Sequence, residues 1–334
     1  MIRFYYGAGS KQASELLTQS IQKDIQAGKD VLFLVPEQQT VSVERQMLEL
    51  LPPSAQLHFE VVNFSRLANR TFRTLGGHSW NVATPSVRSL SMWRALRDLA
   101  PMLLQYGEHA QKARLCDMML ETAKRCKAYT ITADALLRAA DALPAGEPLC
   151  EKLTDLGTVL GAFEPTLAQK FDNGDDDLDR LSDLLDEHGK QLFSGTHVYV
   201  DGFTDYTAQE LAVLRALIAA TPEISFTFPL ASPADTGLHL QSAVHTHKQL
   251  QRLARELGEE IQMVRPAQEP PQSAREYLVR HLFDMNAEPA PLALLEAPDV
   301  SLTLCANPFS EAQAVAAQIH RLVRAGARYR DITV

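Results

Sequence analysis

Residues 3–17 read RFYYGAGSKQASELL. A short aromatic strand runs into a glycine-bearing turn, and the turn into a segment that reads as a helix. A phosphate-binding loop begins in this way. Its full pattern is G-x-x-x-x-G-K-[ST], in which backbone N–H groups cradle phosphates, the lysine reaches the β- and γ-phosphates and the hydroxyl ligates magnesium. Set in frame from Gly7, the chain has Gly7, Ala8, Gly9, Ser10, Lys11, Gln12, Ala13 and Ser14. Gln12 stands in place of the second glycine and Ala13 in place of the lysine. Lys11 lies two positions early, where its side chain should leave the turn in another direction, while Ser14 keeps the hydroxyl position. The candidate nucleotide residues are therefore Gly7, Gly9, Ser10, Lys11 and Ser14, in a turn that keeps its shape without the chemistry.

A second segment bears on the same question. VYVDGFTDYTAQEL begins at Val198, and its strand ends in Asp201, where a P-loop protein places its magnesium-binding aspartate. Helicases follow that aspartate with a glutamate that positions the attacking water, and here the place is taken by Gly202. The lysine and the glutamate are thus both missing, from segments far apart in the chain. An active P-loop ATPase or nucleotide kinase that uses Lys11 in a shortened loop is the competing reading.

Three segments read as buried parallel strands: DVLFLVP (30–36), THVYVDGF (196–203) and EISFTFPL (223–230). RFYYG and LHFEVVNF add two more. Short β-branched and aromatic runs alternating with helical patterns imply βαβ units and a parallel sheet, an α/β fold with about five strands. From Pro85 to Leu192 no strand is evident, and leucines and alanines recur at three- and four-residue spacing, as in RLCDMMLETAKRCKAY. This stretch reads as an all-helical insertion (85–192) between two halves of one domain (1–84 and 193–264). Within it, DNGDDDLDRLSDLLDEHG (172–189) reads as solvated acidic residues favoured by a helix N-terminus rather than as a metal site. A proline-rich connector (265–298) holds the helical AREYLVRHLF. Residues 299–334 read as strand, turn, amphipathic helix and the start of another strand, the opening of a further domain in a longer polypeptide.

The chain has 334 residues, 46% hydrophobic and 22% charged, with a formal net charge of −9. There is no apolar run long enough to span a membrane and no secretion leader. Cys116, Cys126, Cys150 and Cys305 show no C-x-x-C spacing, which points to reduced cytosolic thiols, without zinc or disulfides. The acidic balance argues against a generic nucleic-acid coat, but the local distribution differs. From Asn63 to Arg97 there are six arginines (Arg66, Arg70, Arg73, Arg88, Arg94, Arg97) and no Asp or Glu. Phe64, Trp80 and Trp93 interleave with them, and aromatic rings can stack on unpaired bases. This run and the loop VPEQQT (35–40) follow strands, where open α/β sheets bind ligands. The competing view places Phe64 and Trp93 in the core and the arginines on a solvated face. His245 and His247 are alternate residues on a helix and point apart, without a partner carboxylate.

YYGAGSKQAS, LFLVPEQQT, VVNFSRLANR, VYVDGFTDYTAQE and CANPFSEAQAVAAQIHRLVRAGARYRDITV, in this order, resemble the N-terminal helicase-like region of the AddB family. These are the B subunits of bacterial AddAB (RexAB) ATP-dependent helicase–nucleases. The resemblance covers essentially the whole chain. It implies a RecA-like P-loop domain of superfamily-one helicase type with a helical insertion, followed by a second RecA-like domain. It implies a cytoplasmic module that is not the motor and has no activity of its own. Such a module partners the AddA/RexA-type motor–nuclease chain, binds single-stranded and duplex DNA, and scans the emerging strand for Chi during double-strand-break processing. No cofactor is expected here, since the family's iron–sulfur cysteines lie beyond residue 334. By motif match, the implied DNA-binding positions are Glu37, Gln38, Thr40, Phe64, Arg66, Asn69, Arg70 and Phe203. Asn69 stands where many members have a tryptophan, and Ala13 where many keep the lysine, departures that weaken the implied Chi reading and ATP binding. A scaffold that holds the partner without touching DNA is a third reading.

Overall fold

The computed structural model describes residues 1–7, 10–53, 57–77, 81–235, 237–266, 270–283, 287–295 and 300–334, with the side chains of all but Ser10, Lys11, Leu238 and Leu295. The chain forms two compact units, 1–266 and 267–334.

The first unit is built on a six-stranded sheet. Strand β1 (Ile2–Tyr6) leads to helix α1 (Ser10–Gln26), whose Ala13, Leu17, Ile21 and Ile25 recur every fourth residue as one buried stripe. The helix ends at Gly28, whose φ of 74° suits glycine. There follow β2 (Asp30–Leu34), α2 (Thr40–Leu50), β3 (Phe59–Val62) and α3 (Phe64–Leu75). Next come the helices α4 (Pro85–Leu99), α5 (Ala113–Ala128), α6 (Ala133–Asp141), α7 (Pro148–Ala168) and α8 (Asp177–Phe193). The chain returns with β4 (Thr196–Val200), α9 (Ala208–Ala220), β5 (Glu223–Phe228), α10 (Gln241–Glu256) and β6 (Ile261–Val264).

Every ladder is parallel, in the order β3-β2-β4-β5-β1-β6. Alternation along the strands sends their apolar residues to two layers, as buried parallel strands require. Phe4, Tyr6, Leu32, Leu34, Val198, Val200 and Phe226 face a core shared with α3, α8, α9 and α10. Tyr5, Phe33, Val61 and Tyr199 face α1 and α2. The helices α4, α5 and α7 enclose a separate core of Met92, Leu96, Met119, Leu160 and Phe163. Among the described residues no helix is long and apolar enough to cross a membrane.

Three expectations need correction. A sixth strand, β6, was not legible: it lies at the sheet edge and is only half buried, so IQMV lacks the apolar run of the central strands. Residues 300–305 alternate like a strand but form none; Leu302 and Leu304 are 90% and 91% exposed, and a strand needs a neighbour to satisfy its backbone. The acidic stretch 172–189 does open a helix, with Asp177 and Asp179 in the first turn of α8 and Asp183, Asp186 and Glu187 exposed, but it is not solvated throughout: Asp175 meets Arg88, and Asp176 lies 2.6 Å from the Lys127 ammonium.

In the second unit, Ser273 caps α11 (Ala274–His281) and a reciprocal Asn307–Ser310 capping box starts α12 (Pro308–Arg324). No residue of either helix is fully buried.

Candidate nucleic-acid interface

At the carboxyl end of β1 the chain turns back onto its own helix. A Cβ on Gly7 would lie 2.6 Å from the backbone nitrogen of Ala13, so this close approach excludes any side chain. Ala13 is fully buried and brings only a methyl group to the lysine's place. The carbonyl of Ser14 accepts the Thr18 hydroxyl at 2.8 Å. Gly9, and the side chains of Ser10 and Lys11, lie outside the described residues. Tyr6, the last residue of β1, shares a 2.7 Å hydrogen bond with His247 Nε2. Burial pushes the Tyr6 phenol up to about 12 against the nearby Arg265 cation, and burial with the neighbouring Lys248 charge lowers His247 to about 4. His247 is thus a neutral core residue.

Two strands along, Asp201 is also engaged. Its Oδ1 accepts the backbone N–H of Gly202 at 2.8 Å and the hydroxyl of Thr227. Gly202 has φ 82°, and a Cβ there would sit 3.1 Å from the Pro36 ring and 2.5 Å from the Gln39 amide oxygen. The Gln39 amide can swing aside, but the proline ring and the left-handed backbone cannot. A glutamate at 202 is therefore disfavoured by geometry, which gives the Asp-Gly pair in the sequence its physical meaning.

Two further turns flank this one. After β2, Pro36 enters a 3-10 turn (Glu37–Gln39) whose Glu37 and Gln38 are exposed. Thr40 is 2% exposed and donates to the Pro36 carbonyl at 3.2 Å, so it fastens the turn from inside. After β3, the Asn63 side chain caps α3 by accepting the Arg66 backbone N–H at 2.8 Å. Phe64 is buried and meets Phe203 edge-on, with ring centroids 5.6 Å apart. Arg66 projects outward with its guanidinium 3.5 Å from Glu44. Asn69 is exposed and donates to the Ser65 carbonyl. Arg70 lies 2.7 Å from Glu60 and over the Phe193 ring.

The arginine run is therefore not an unopposed cationic face. Carboxylates absent from 63–97 arrive from Glu44, Glu60, Asp98 and Asp175. The partners Glu44 and Glu60 come from neighbouring elements of the fold, which a linear count cannot see. The Arg66 and Arg70 pairs are about half exposed and worth at most about 1 kcal/mol, so a phosphate can displace either carboxylate. Trp93 is partly exposed under the Arg97 guanidinium, and Trp80 lies outside the described residues. Sequence reasoning passed over Gln39, Tyr206 and Thr227, which hold the turns in place.

One set of described residues has metal-ligand spacing: Asp24, His197 and Glu223, buried at the opposite end of the sheet. Its charges are already matched. Lys29 and the Tyr199 hydroxyl donate to Asp24 at 2.8 and 2.7 Å, and Arg3 lies 2.5 Å from Glu223. Burial would raise the Asp24 carboxyl, but the Lys29 and Tyr199 hydrogen bonds hold it below the usual carboxylate range. The set is an ion-pair network that ties α1 to the sheet.

A family profile described as "ADDB, N-terminal" matches residues 4–282. The B subunit of an ATP-dependent helicase/deoxyribonuclease from Pelotomaculum thermopropionicum is 30% identical over the whole chain. Proteins of the same name from Acetivibrio thermocellus and Bacillus subtilis are 27% and 26% identical over 100% and 99% of it. The chain spans 30%, 30% and 29% of these three relatives. The profile covers most of the chain, and the chain belongs to the AddB N-terminal family.

Proposed function

We propose that this chain is a non-catalytic, helicase-derived DNA-binding module of an ATP-dependent helicase/deoxyribonuclease, acting in double-strand-break processing and recombinational repair. The observation that carries it is the convergence of three turns at one sheet rim. The turn after β2 exposes Glu37 and Gln38 and the first turns of α3 after β3 expose Arg66 and Asn69, while the third turn, after β4, has its aspartate engaged and its glutamate position closed. Arg70 lies further along α3, beside Glu60 and Phe193 near the amino ends of the strands, and would contact DNA only outside this rim. Side-chain amides and a guanidinium can read unstacked bases and phosphates. Thr40 and Phe64 serve this surface from within. In this reading residues 1–84 and 193–264 form a RecA-like domain, 85–192 its helical insertion, 265–298 a connector and 299–334 the opening of a second such domain. The protein works in the cytoplasm beside a motor–nuclease partner, and neither ATP nor magnesium is used here.

The test is Arg66→Ala in the full-length protein assembled with its partner. Single-strand affinity should fall and the slope of log affinity against log salt should drop by about one, with the partner's ATP turnover unchanged. Unaltered affinity and slope would refute the reading.

A further inference from the structure

We infer that the outer face of α12, in the second unit, is a contact for the phosphate backbone of nucleic acid, separate from the rim turns of the first. The inference extends the DNA-binding reading above and rests on it. Residues 312–330 hold Arg321, Arg324, Arg328, Arg330 and His320, and no Asp or Glu. In the first unit, carboxylates from elsewhere in the fold meet Arg66, Arg70 and Arg88. On α12 two arginines escape this. Arg328 is committed to Asp331 at 2.8 Å, and Arg330 lies in the field of the same carboxylate. Arg321 donates to the neutral Gln318 amide. Among the described residues no carboxylate pairs with Arg321 or Arg324.

Their place on the helix keeps them at the surface. Both belong to the last turn of α12 and are exposed. Residues three apart are neighbours on a helix surface, so the two guanidinium groups share one patch. The apolar stripe of α12, made of Val315, Ile319, Leu322 and Val323, falls on the opposite side at the helical period. Whatever packs on that stripe leaves the arginines facing outward. Gln313 and Ala317 complete their face, neither of them charged. An arginine without a carboxylate takes a phosphate with no ion pair to break, and its planar fork fits two phosphate oxygens. A helix end also favours cations through its dipole, but that purely structural role predicts lost stability and no lost binding.

The two roles separate by salt. The full-length protein, assembled with its partner chain, is titrated over a range of salt with a fluorescein-labelled single strand and, separately, a labelled duplex, both of mixed sequence. Arg321→Gln/Arg324→Gln should weaken binding about tenfold at low salt. The slope of log affinity against log salt should fall by about 1.4 on the single strand or about 1.8 on the duplex, since each phosphate contact contributes about 0.7 or 0.9. Loss in either arm supports the inference and identifies which form the face holds. Arg321→Lys/Arg324→Lys keeps both charges and should keep the slope. A slope unchanged in both arms leaves the arginines as helix-end cations and overturns the inference, as does a lysine pair that loses as much as the glutamine pair. If the glutamine pair does not fold, Arg324→Gln alone, with half the expected change, is judged in the same way. Arg66→Ala measured beside them distinguishes the cases: an unaltered slope there sinks the DNA-binding reading, and one in the glutamine pair alone sinks only this face.

Discussion

At the scale of single residues, the two departures from a working phosphate loop differ in kind. Ala13 is a change of side chain alone, a buried methyl on the inner face of α1. Gly202 is a structural commitment, because its φ of 82° strains any other residue and a Cβ there would press on the Pro36 ring. Restoring the letters should therefore not restore the chemistry. In Ala13→Lys/Gly202→Glu the lysine enters a fully buried position and the glutamate a left-handed turn, so the variant should lose about 3 kcal/mol or more of stability and gain no ATP turnover. Urea unfolding and a phosphate-release assay check both halves, and measurable turnover would show the site to be a live one. Gly7 and the substitution at 13 were both legible in sequence, but the reason for Gly202 was not. It depends on Gln39 and Pro36, more than 160 residues earlier, which the fold brings against it.

Between elements, a single carboxylate ties α7 to the segment that joins α4 and α5. Asp155, on α7 and 1% exposed, accepts three successive backbone N–H groups, those of Leu104, Gln105 and Tyr106, at 2.8, 2.8 and 3.0 Å. Three donors converge on one anion, so Asp155→Asn both removes the charge and turns an amide N–H toward another donor. The expected cost is about 2–4 kcal/mol, since charge-assisted bonds are lost and buried donors left unmatched. Hydrogen exchange at residues 104–106 should speed up while the sheet amides stay protected. No sequence pattern marks Asp155, which reads as one more polar residue on an amphipathic helix. The helices themselves were legible because their apolar spacing repeats over many turns, as were the five strands built on β-branched and aromatic runs. The edge strand β6 and the unpaired stretch 300–305 show the limit of that signal. Strand-like alternation reports which residues could lie in a sheet, and pairing decides which do.

For the molecule as a whole, the core beneath the candidate interface makes stability depend on pH in a definite window. His247 is almost fully buried, shares a hydrogen bond with Tyr6 and has its pKa lowered to about 4. In the unfolded chain the same imidazole protonates near 6.5. The unfolded state therefore binds the proton first as the pH falls, and binding there draws the equilibrium toward unfolding. The stabilisation is fully present above about pH 6.5 and is lost as the pH falls toward 4, by about 3 kcal/mol over the interval. Asp24, held below the usual carboxylate range, loses its contribution in a more acid window, as the pH falls below its unfolded value near 4. The two effects are separable, and His247→Gln isolates the first. The amide keeps an acceptor for the Tyr6 hydroxyl and does not titrate, so the variant should be less stable than the parent at pH 7.5 yet flat between pH 6.5 and 4.5, where the parent declines. Urea midpoints taken at half-unit steps of pH would show it. Parallel slopes for the two proteins across that interval would assign the decline to other groups and remove His247 from the account.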